Sequence, residues 1–152
     1  MQKFLIISDT VVEEIRKYYQ ECNQRERILL LVLGNSCDKI YVKHIIYPPV
    51  EAYRISTRNN VSLKPTYLLE RIVEIVKDSD VGIMLIHNHN SFLPLFSSVD
   101  RQANKSFFRF LKKNNLGIIG GSAVYASNRI SYVTNCIRLK NRYLVKLRHN
   151  NL

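Results

Sequence analysis

Apolar residues recur three or four positions apart in three segments of the chain, and this spacing predicts three helices. Thr10 and Glu13 have the spacing of a capping box at the start of the first helix, and Pro65 suits the first turn of the second. The third helix is predicted from about residue 99 to residue 113. The predicted buried stripes are, in chain order, Val11, Val12, Ile15, Tyr18, Tyr19 and Cys22; Leu68, Leu69, Ile72, Ile75 and Val76; and Ala103, Phe107, Phe110 and Leu111.

Runs of β-branched and aromatic residues between turn residues predict the strands of a sheet. Residues 28–33 form a continuous apolar run, typical of a strand buried on both faces, which ends at Gly34-Asn35 and makes a hairpin with residues 39–47. Further strands are predicted over residues 81–86, 116–119, 122–125 and 130–133, with a turn at Ser127-Asn128. Residues 49–62 look like a polar loop, and residues 137–147 fit both a helix and a strand.

The order of these elements indicates one α/β or α+β domain over residues 1–152, with a mixed β-sheet flanked by helices. The structure of the C-terminal segment, residues 134–152, stays open.

Asp100 is the last acid of the chain. The first 100 residues hold 12 basic and 12 acidic side chains, so the whole net charge of +11 falls in the final third. Such a charge predicts an anionic partner, whether nucleic acid, a membrane surface or an acidic protein.

Three cysteines, Cys22, Cys37 and Cys136, show no CxxC spacing, which favours reduced thiols in a cytoplasmic protein over a disulfide framework. The apolar run at residues 4–7 is too short for a signal peptide, and no segment approaches the length of a membrane span. We therefore expect a soluble cytoplasmic protein with no membrane partner.

The sequence contains no Gly-rich phosphate loop. His44 and His149 have no partner at ligand spacing, so we interpret these two histidines as structural or solvated.

Residues 85–100 carry the candidate chemistry. His87 and His89 lie at the end of a predicted buried strand, where side chains two apart project to the same face. Ser97 opens the third helix, and Asp100 lies one turn inside it, within reach of both imidazoles if the loop folds back. Two histidines and one carboxylate are a standard zinc ligand set that leaves the fourth position open for water.

Each part of this pattern also has an ordinary explanation. A His-x-His at a strand end is more often a solvated pair, and Ser97 with Asp100 can simply cap a helix. The complete pattern His-x-His-x7-Ser-x-x-Asp favours the metal site, because capping does not explain the adjacent histidines.

This pattern resembles the JAMM signature of the JAB/MPN metallopeptidase family. The resemblance implies a cytidine-deaminase-like layering, one Zn²⁺ per chain bound by His87, His89 and Asp100, and a Ser97 hydroxyl that stabilises the oxyanion. It also implies a glutamate that moves a proton from the attacking water to the leaving amine. Glu26 is the candidate for that glutamate, and Glu21 and Glu51 are the alternatives.

Two positions depart from the usual pattern. Glu26 precedes Gly34 by eight residues, whereas many members have seven, so a bulge would be needed to turn its side chain to the right face; RadC-like members use the longer spacing. Asn90 stands where most relatives have proline, which predicts a looser loop.

Three functions are compatible with the sequence. The first is a zinc-dependent peptidase or isopeptidase that cuts after the C-terminus of a ubiquitin-like protein, with such proteins, their conjugates and E1- or E2-like enzymes as partners, as in antiphage defence or sulfur-carrier processing. The second is a RadC-like protein associated with nucleic acid, which the basic final third favours. The third, a non-enzymatic MPN scaffold, ranks lowest because the ligand set is complete.

Overall fold

A mixed β-sheet runs through the computed structural model of the protein, which describes residues 4–22, 24–36, 39–136 and 142–146. The strands are β1 (Phe4–Ile6), β2 (Ile28–Ser36), β3 (Lys39–Ile46), β4 (Tyr53–Ser56), β5 (Val61–Leu63), β6 (Gly82–Asn88), β7 (Ile119–Ala126), β8 (Arg129–Thr134) and β9 (Arg142–Lys146). The helices are α1 (Asp9–Gln20), α2 (Pro65–Lys77) and α3 (Ser98–Lys113). Seven strands form one sheet in the order β1-β3-β2-β6-β7-β8-β9, and β4 and β5 form a separate hairpin.

Strand β2 lies at the centre of this sheet and pairs antiparallel with both β3 and β6. Its first seven residues are buried because both faces of the sheet are covered, which confirms the expectation from its continuous apolar run. Leu29, Leu31 and Leu33 pack in the cluster that includes α1. The alternate residues, with Ile72 of α2 and Leu111 of α3, pack in the cluster on the opposite face. The fold is therefore a curled mixed sheet flanked by three helices.

The structure corrects the prediction at the glycine pair. Gly120 and Gly121 lie inside β7, which runs without interruption from Ile119, whereas the sequence pattern predicted a break there. A Cβ at Gly120 would lie 2.4 Å from Leu111 Cδ1, so the glycine allows α3 to approach the sheet. The predicted turn at Ser127-Asn128 is confirmed, and both residues have positive φ, as a tight hairpin turn requires.

Several boundaries also differ from the predicted ones. Helix α1 is capped by Ser8, whose hydroxyl accepts the Val11 N–H, so the predicted capping box at Thr10 is wrong. The predicted polar loop at residues 49–62 contains most of the β4–β5 hairpin, and β1 was not predicted at all. Within the ambiguous segment, β9 pairs antiparallel with β8, while residues 137–141 and 147 lie outside the described part of the chain.

Cys22 and Cys136, the two cysteines that the structure describes, are free thiols. Cys37 lies outside the described residues. Across the ranges that the structure describes, no helix has both the length and the apolar character that a membrane crossing requires.

Helix α2 is rotated relative to the predicted stripe. Ile72 and Ile75 are 0% and 3% exposed, but Leu69 and Val76, which the spacing also assigned to the core, are 46% and 48% exposed. In α3, Leu111 is buried as predicted, whereas Ala103 and Phe110 are exposed. An apolar stripe wider than the contact with the sheet cannot show from spacing alone which edge of it is covered.

The rotation of α2 gives a matched pair of substitutions. We expect Ile72→Ala to lower the free energy of unfolding by about 2–5 kcal/mol, because it leaves a cavity beneath the helix. Leu69→Ala, three residues away on the exposed edge, should cost less than about 1 kcal/mol. Urea denaturation measures both, and equal losses would contradict this orientation of α2.

Candidate metal centre

The extended chain at the end of β6 places the two histidines side by side. His87 lies opposite Ile28 of β2 and next to Val124 of β7, and its side chain shares the sheet face that α2 and α3 cover. His89 follows the end of β6, but its N–H still donates to Tyr125 O at 2.8 Å, so the chain remains extended there. The two Nε2 atoms lie 3.0 Å apart. The prediction that both imidazoles reach one point is confirmed.

Asp100 reaches the same point from the first turn of α3. Ser97 caps this helix, with the Asp100 N–H donating to Ser97 Oγ at 3.1 Å and the Ser97 N–H donating to Asp100 Oδ2 at 2.8 Å. The same carboxylate lies 3.2 Å from the Nε2 atom of His87 and 3.2 Å from that of His89. The capping box is therefore confirmed, and it orients the carboxylate toward the histidines rather than competing with that role.

Glu26 completes the cluster from the segment that leads into β2. Its side chain is buried, and Oε1 lies 3.9 Å from His89 Nε2. The β2·β6 register explains this position, because extending the pairing of Ile28 with His87 by two residues places Glu26 opposite His89.

The bulge that the sequence seemed to require in β2 is therefore not needed. The irregularity between β2 and β3 leaves the extra residue, Lys43, on β3, and β2 stays regular against β6. The count back from Gly34 was misleading because β2 continues to Ser36. The two alternatives are exposed: Glu21 lies at the end of α1, and Glu51 lies in the 3-10 turn Val50–Ala52, away from the histidines.

Three of these side chains, Glu26, His87 and His89, could hold a metal ion. Donor atoms of Glu26, His87 and His89 lie within 4.8 Å of one another. The oxygens of Asp100 lie closer still to both imidazoles than the Glu26 carboxylate lies to His89. Two imidazole nitrogens with a carboxylate oxygen suit a divalent transition metal, and a fourth group at slightly longer range suits a role beside the metal.

The pKa values of the two carboxyl groups are shifted in opposite directions. Burial by itself would raise the pKa of Asp100, but hydrogen bonds from His87 and His89 outweigh it and hold that pKa well below its usual range. Burial raises the pKa of Glu26; the imidazoles oppose this rise and Asp100 adds to it. The hydrogen bond to Asp100 raises the pKa of His89. Asp100 thus stays ionised, whereas Glu26 is the carboxyl group better suited to accept and release a proton.

An open cleft of about 380 Å³ gives access to these groups. Ser97 is exposed at its wall, and its Oγ accepts the Asp100 N–H, which leaves the hydroxyl proton able to donate into the cleft. The lining residues are Glu26, Arg58, Asn59, Asn60, His89, Asn90, Ser91, Ser97, Val99 and Asp100.

The sequence pattern did not predict that Arg58, Asn59 and Asn60, which follow β4, form part of the wall of the cleft. Their polar composition was the only signal, and it indicated a loop without chemistry. Asn90 also differs from expectation: its Nδ2 donates to Gln24 O at 2.5 Å and to Arg58 O at 3.1 Å. These two hydrogen bonds tie the loop down, whereas a looser loop was expected at this position. His44 is exposed on β3, away from the cluster, and His149 lies outside the described residues.

Comparison with known proteins adds no family. No protein-family model and no curated protein match the chain. Among solved structures, the solution structure of protein DSY2949 from Desulfitobacterium hafniense is similar over 92% of this chain and 94% of that chain, with 13% sequence identity and a TM-score of 0.49. This likeness is too low to carry an argument, and the site is assigned on its own geometry.

We expect the cluster to bind one divalent transition-metal ion. Titration of the metal-free protein with Co²⁺ should give visible absorption bands that saturate at one equivalent. His87→Ala removes a donor, so its affinity should fall by more than the roughly 10- to 100-fold that loss of an outer hydrogen-bond partner costs. His44→Ala is the matched control and should bind like the wild type. Unchanged Co²⁺ binding in His87→Ala would exclude this cluster as the site.

Proposed function

We propose that the protein is a zinc-dependent peptidase or isopeptidase of the JAB/MPN type, which hydrolyses the amide bond after the C-terminus of a ubiquitin-like protein. The supporting observation is the meeting of His87, His89 and Asp100 in one cluster, with Glu26 beside it at the wall of an open cleft. The helices on both faces of the mixed sheet are compatible with the layering of that family.

Zn²⁺ held by His87, His89 and Asp100 would polarise the scissile carbonyl and lower the pKa of water. The protein's own groups then manage the protons. Glu26 accepts a proton from the attacking water and returns it to the leaving amine, which its raised pKa and its position beside His89 favour.

Ser97 stabilises the oxyanion that develops on the attacked carbonyl. Its hydroxyl stands at the wall of the cleft and can donate a hydrogen bond, which is worth most when the charge has formed. Because Ser97 also caps α3, its backbone position is fixed by the same helix that carries Asp100. The donor and the metal ligand are therefore held in a constant relation.

The surface beside the cleft favours an acidic protein partner. Helix α3 carries exposed basic residues along its length, and no acid follows Asp100 in the chain. Three large apolar side chains next to the cleft, Phe92, Leu95 and Val99, are 71%, 60% and 61% exposed. An acidic ubiquitin-like protein or its conjugate would match both features, with E1- or E2-like enzymes of the same cytoplasmic system as further partners.

The alternative is a RadC-like function on nucleic acid. The basic face of α3, with Arg101, Lys105 and Arg109 at intervals of four, is the observation that favours it, because clustered cations bind phosphates. The exposed apolar residues beside the cleft favour a protein instead, so we rank this function second.

Glu26→Gln tests the proton transfer. We expect cleavage of a responsive ubiquitin-like fusion to fall by about 10²- to 10⁴-fold, because glutamine cannot carry a proton between water and amine. Metal content should stay at the wild-type level, since the three closer donors remain. The readout is single-turnover cleavage across a panel of such fusions, with Glu21→Gln as the matched control. A wild type that cleaves no fusion, or a fully active Glu26→Gln, would contradict the mechanism.

Charge reversal on α3 distinguishes between the two candidate partners, an acidic protein and nucleic acid. We expect the combined substitution Lys105→Glu and Arg109→Glu to lower kcat/KM on an acidic fusion at low salt and to have little effect at high salt, because screening removes long-range attraction. Duplex DNA of random sequence is the competing probe. Tight, salt-dependent DNA binding by the wild type that the reversal abolishes, with cleavage unchanged, would favour the nucleic-acid function.

A further inference from the structure

The backbone around Glu26 is held from one edge by the β4–β5 hairpin. The Glu26 N–H donates to Thr57 O at 2.8 Å, and the Glu26 carbonyl accepts the Ser56 hydroxyl at 2.7 Å. Two residues further on, the N–H and carbonyl of Ile28 both engage the Tyr53 hydroxyl, each at 2.9 Å. The backbone groups of alternate residues therefore all point toward the hairpin.

On the opposite edge of the segment, the side chain of Asn88 makes two hydrogen bonds, beside a longer one from the Tyr19 hydroxyl to Arg27 O at 3.4 Å. Asn88 Oδ1 accepts the Arg27 N–H at 2.7 Å, and Asn88 Nδ2 donates to Arg25 O at 3.0 Å. Successive residues of an extended chain point their backbone groups to opposite edges, so Arg25 and Arg27 present the groups that the hairpin cannot reach. Asn88 thus makes one hydrogen bond on each side of Glu26, one as acceptor and one as donor. We call this pair of hydrogen bonds the bracket.

We propose that Asn88 is a positioning residue: its side-chain amide extends the β2·β6 pairing past the start of β2 and so holds the Glu26 carboxylate against the histidine pair. Asn88 lies between His87 and His89 in the chain, so the group that holds Glu26 is covalently joined to both imidazole-bearing residues. The inference rests on the proposed function for the role of Glu26 in proton transfer. The bracket itself is a property of the fold.

The chemistry of the amide is specific to this task. Asparagine offers an acceptor and a donor on one short, planar group, which matches one N–H and one carbonyl on either side of a single residue. Aspartate would keep the bond to the Arg27 N–H but cannot donate to the Arg25 carbonyl. Alanine would lose both bonds. Asn88 is buried, so the aspartate variant has no room to rotate its carboxylate into solvent.

The expected effect is on the rate of the chemical step. A carboxylate that must carry a proton tolerates little displacement, and an error of about 1 Å can cost roughly 10²-fold in rate. Without the two Asn88 hydrogen bonds, the Arg27 N–H and the Arg25 carbonyl lose their partner, and the segment keeps its bonds to the hairpin, the bond from Asn90 to Gln24 O and the long bond from Tyr19 to Arg27 O. Asn88→Ala should therefore lower kcat by about 10²-fold, with KM and metal stoichiometry unchanged, and Asn88→Asp should fall between it and the wild type.

A double-mutant cycle with Glu26→Gln tests whether Asn88 acts through Glu26. If it does, adding Asn88→Ala to Glu26→Gln should change the remaining activity by less than about twofold, since the group to be positioned is already disabled. A general loss of structure would instead lower activity in both backgrounds. Equal effects in the two backgrounds, a wild-type kcat in Asn88→Ala, or loss of the metal would overturn the proposal.

A second measurement needs no substrate. Amide hydrogen exchange at Arg27 in the metal-free protein should be protected in the wild type and in Asn88→Asp, and markedly faster in Asn88→Ala. Asn114→Ala is the matched control: it removes an asparagine that donates to Phe110 O at 2.8 Å at the far end of α3, and it should leave Arg27 unchanged. If the wild type cleaves no fusion, the proposed function fails, while exchange at Arg27 still decides the bracket. Unaltered exchange in Asn88→Ala would overturn the bracket itself.

Discussion

The antiparallel register between β2 and β6 is the constraint on which the candidate site depends. It sets Ile28 opposite His87, and its extension sets Glu26 opposite His89. A shift of one residue would turn the side chains of one strand to the other face and separate the carboxylate from the imidazoles. The register is secured by burial, because β2 carries large apolar side chains on both faces and each face has its own helix layer. The core thus specifies the geometry of the polar cluster at its edge.

The second requirement is that α3 begins at the right point. Ser97 and Asp100 satisfy backbone groups at the helix N-terminus that would otherwise lack partners, so the capping box determines where the loop ends. A carboxylate at this position also interacts favourably with the helix dipole. The same carboxylate then faces two imidazoles, and its depressed pKa reflects them. The cap of the helix and the carboxylate that faces the two imidazoles are therefore one side chain, so the two explanations of Asp100 do not exclude each other.

The sequence predicted those parts of the fold that are decided locally. The apolar run of β2, the histidine pair at the end of β6 and the capping box of α3 each carry their signal within a few residues. Asn88 could not be found in this way, because its partners lie 61 and 63 positions away in the chain. The β4–β5 hairpin was missed because it is short and polar. Gly120 looked like a break, although it serves close packing against Leu111.

The basic residues of α3 divide into two groups with different physical explanations. Lys112 and Lys113 lie in the last turn, where positive charge complements the helix dipole, so they need no partner. Arg101, Lys105 and Arg109 lie earlier and follow one another at intervals of four, an arrangement in which like charges destabilise a helix by about 0.2–0.5 kcal/mol per pair. Neither the dipole nor the core accounts for that stripe. An anionic surface docked along it would relieve the repulsion, and the stripe starts at Arg101, directly after the carboxylate that faces the histidines. On the function proposed above, this stripe would bear on how a substrate approaches the cleft rather than on the chemistry within it.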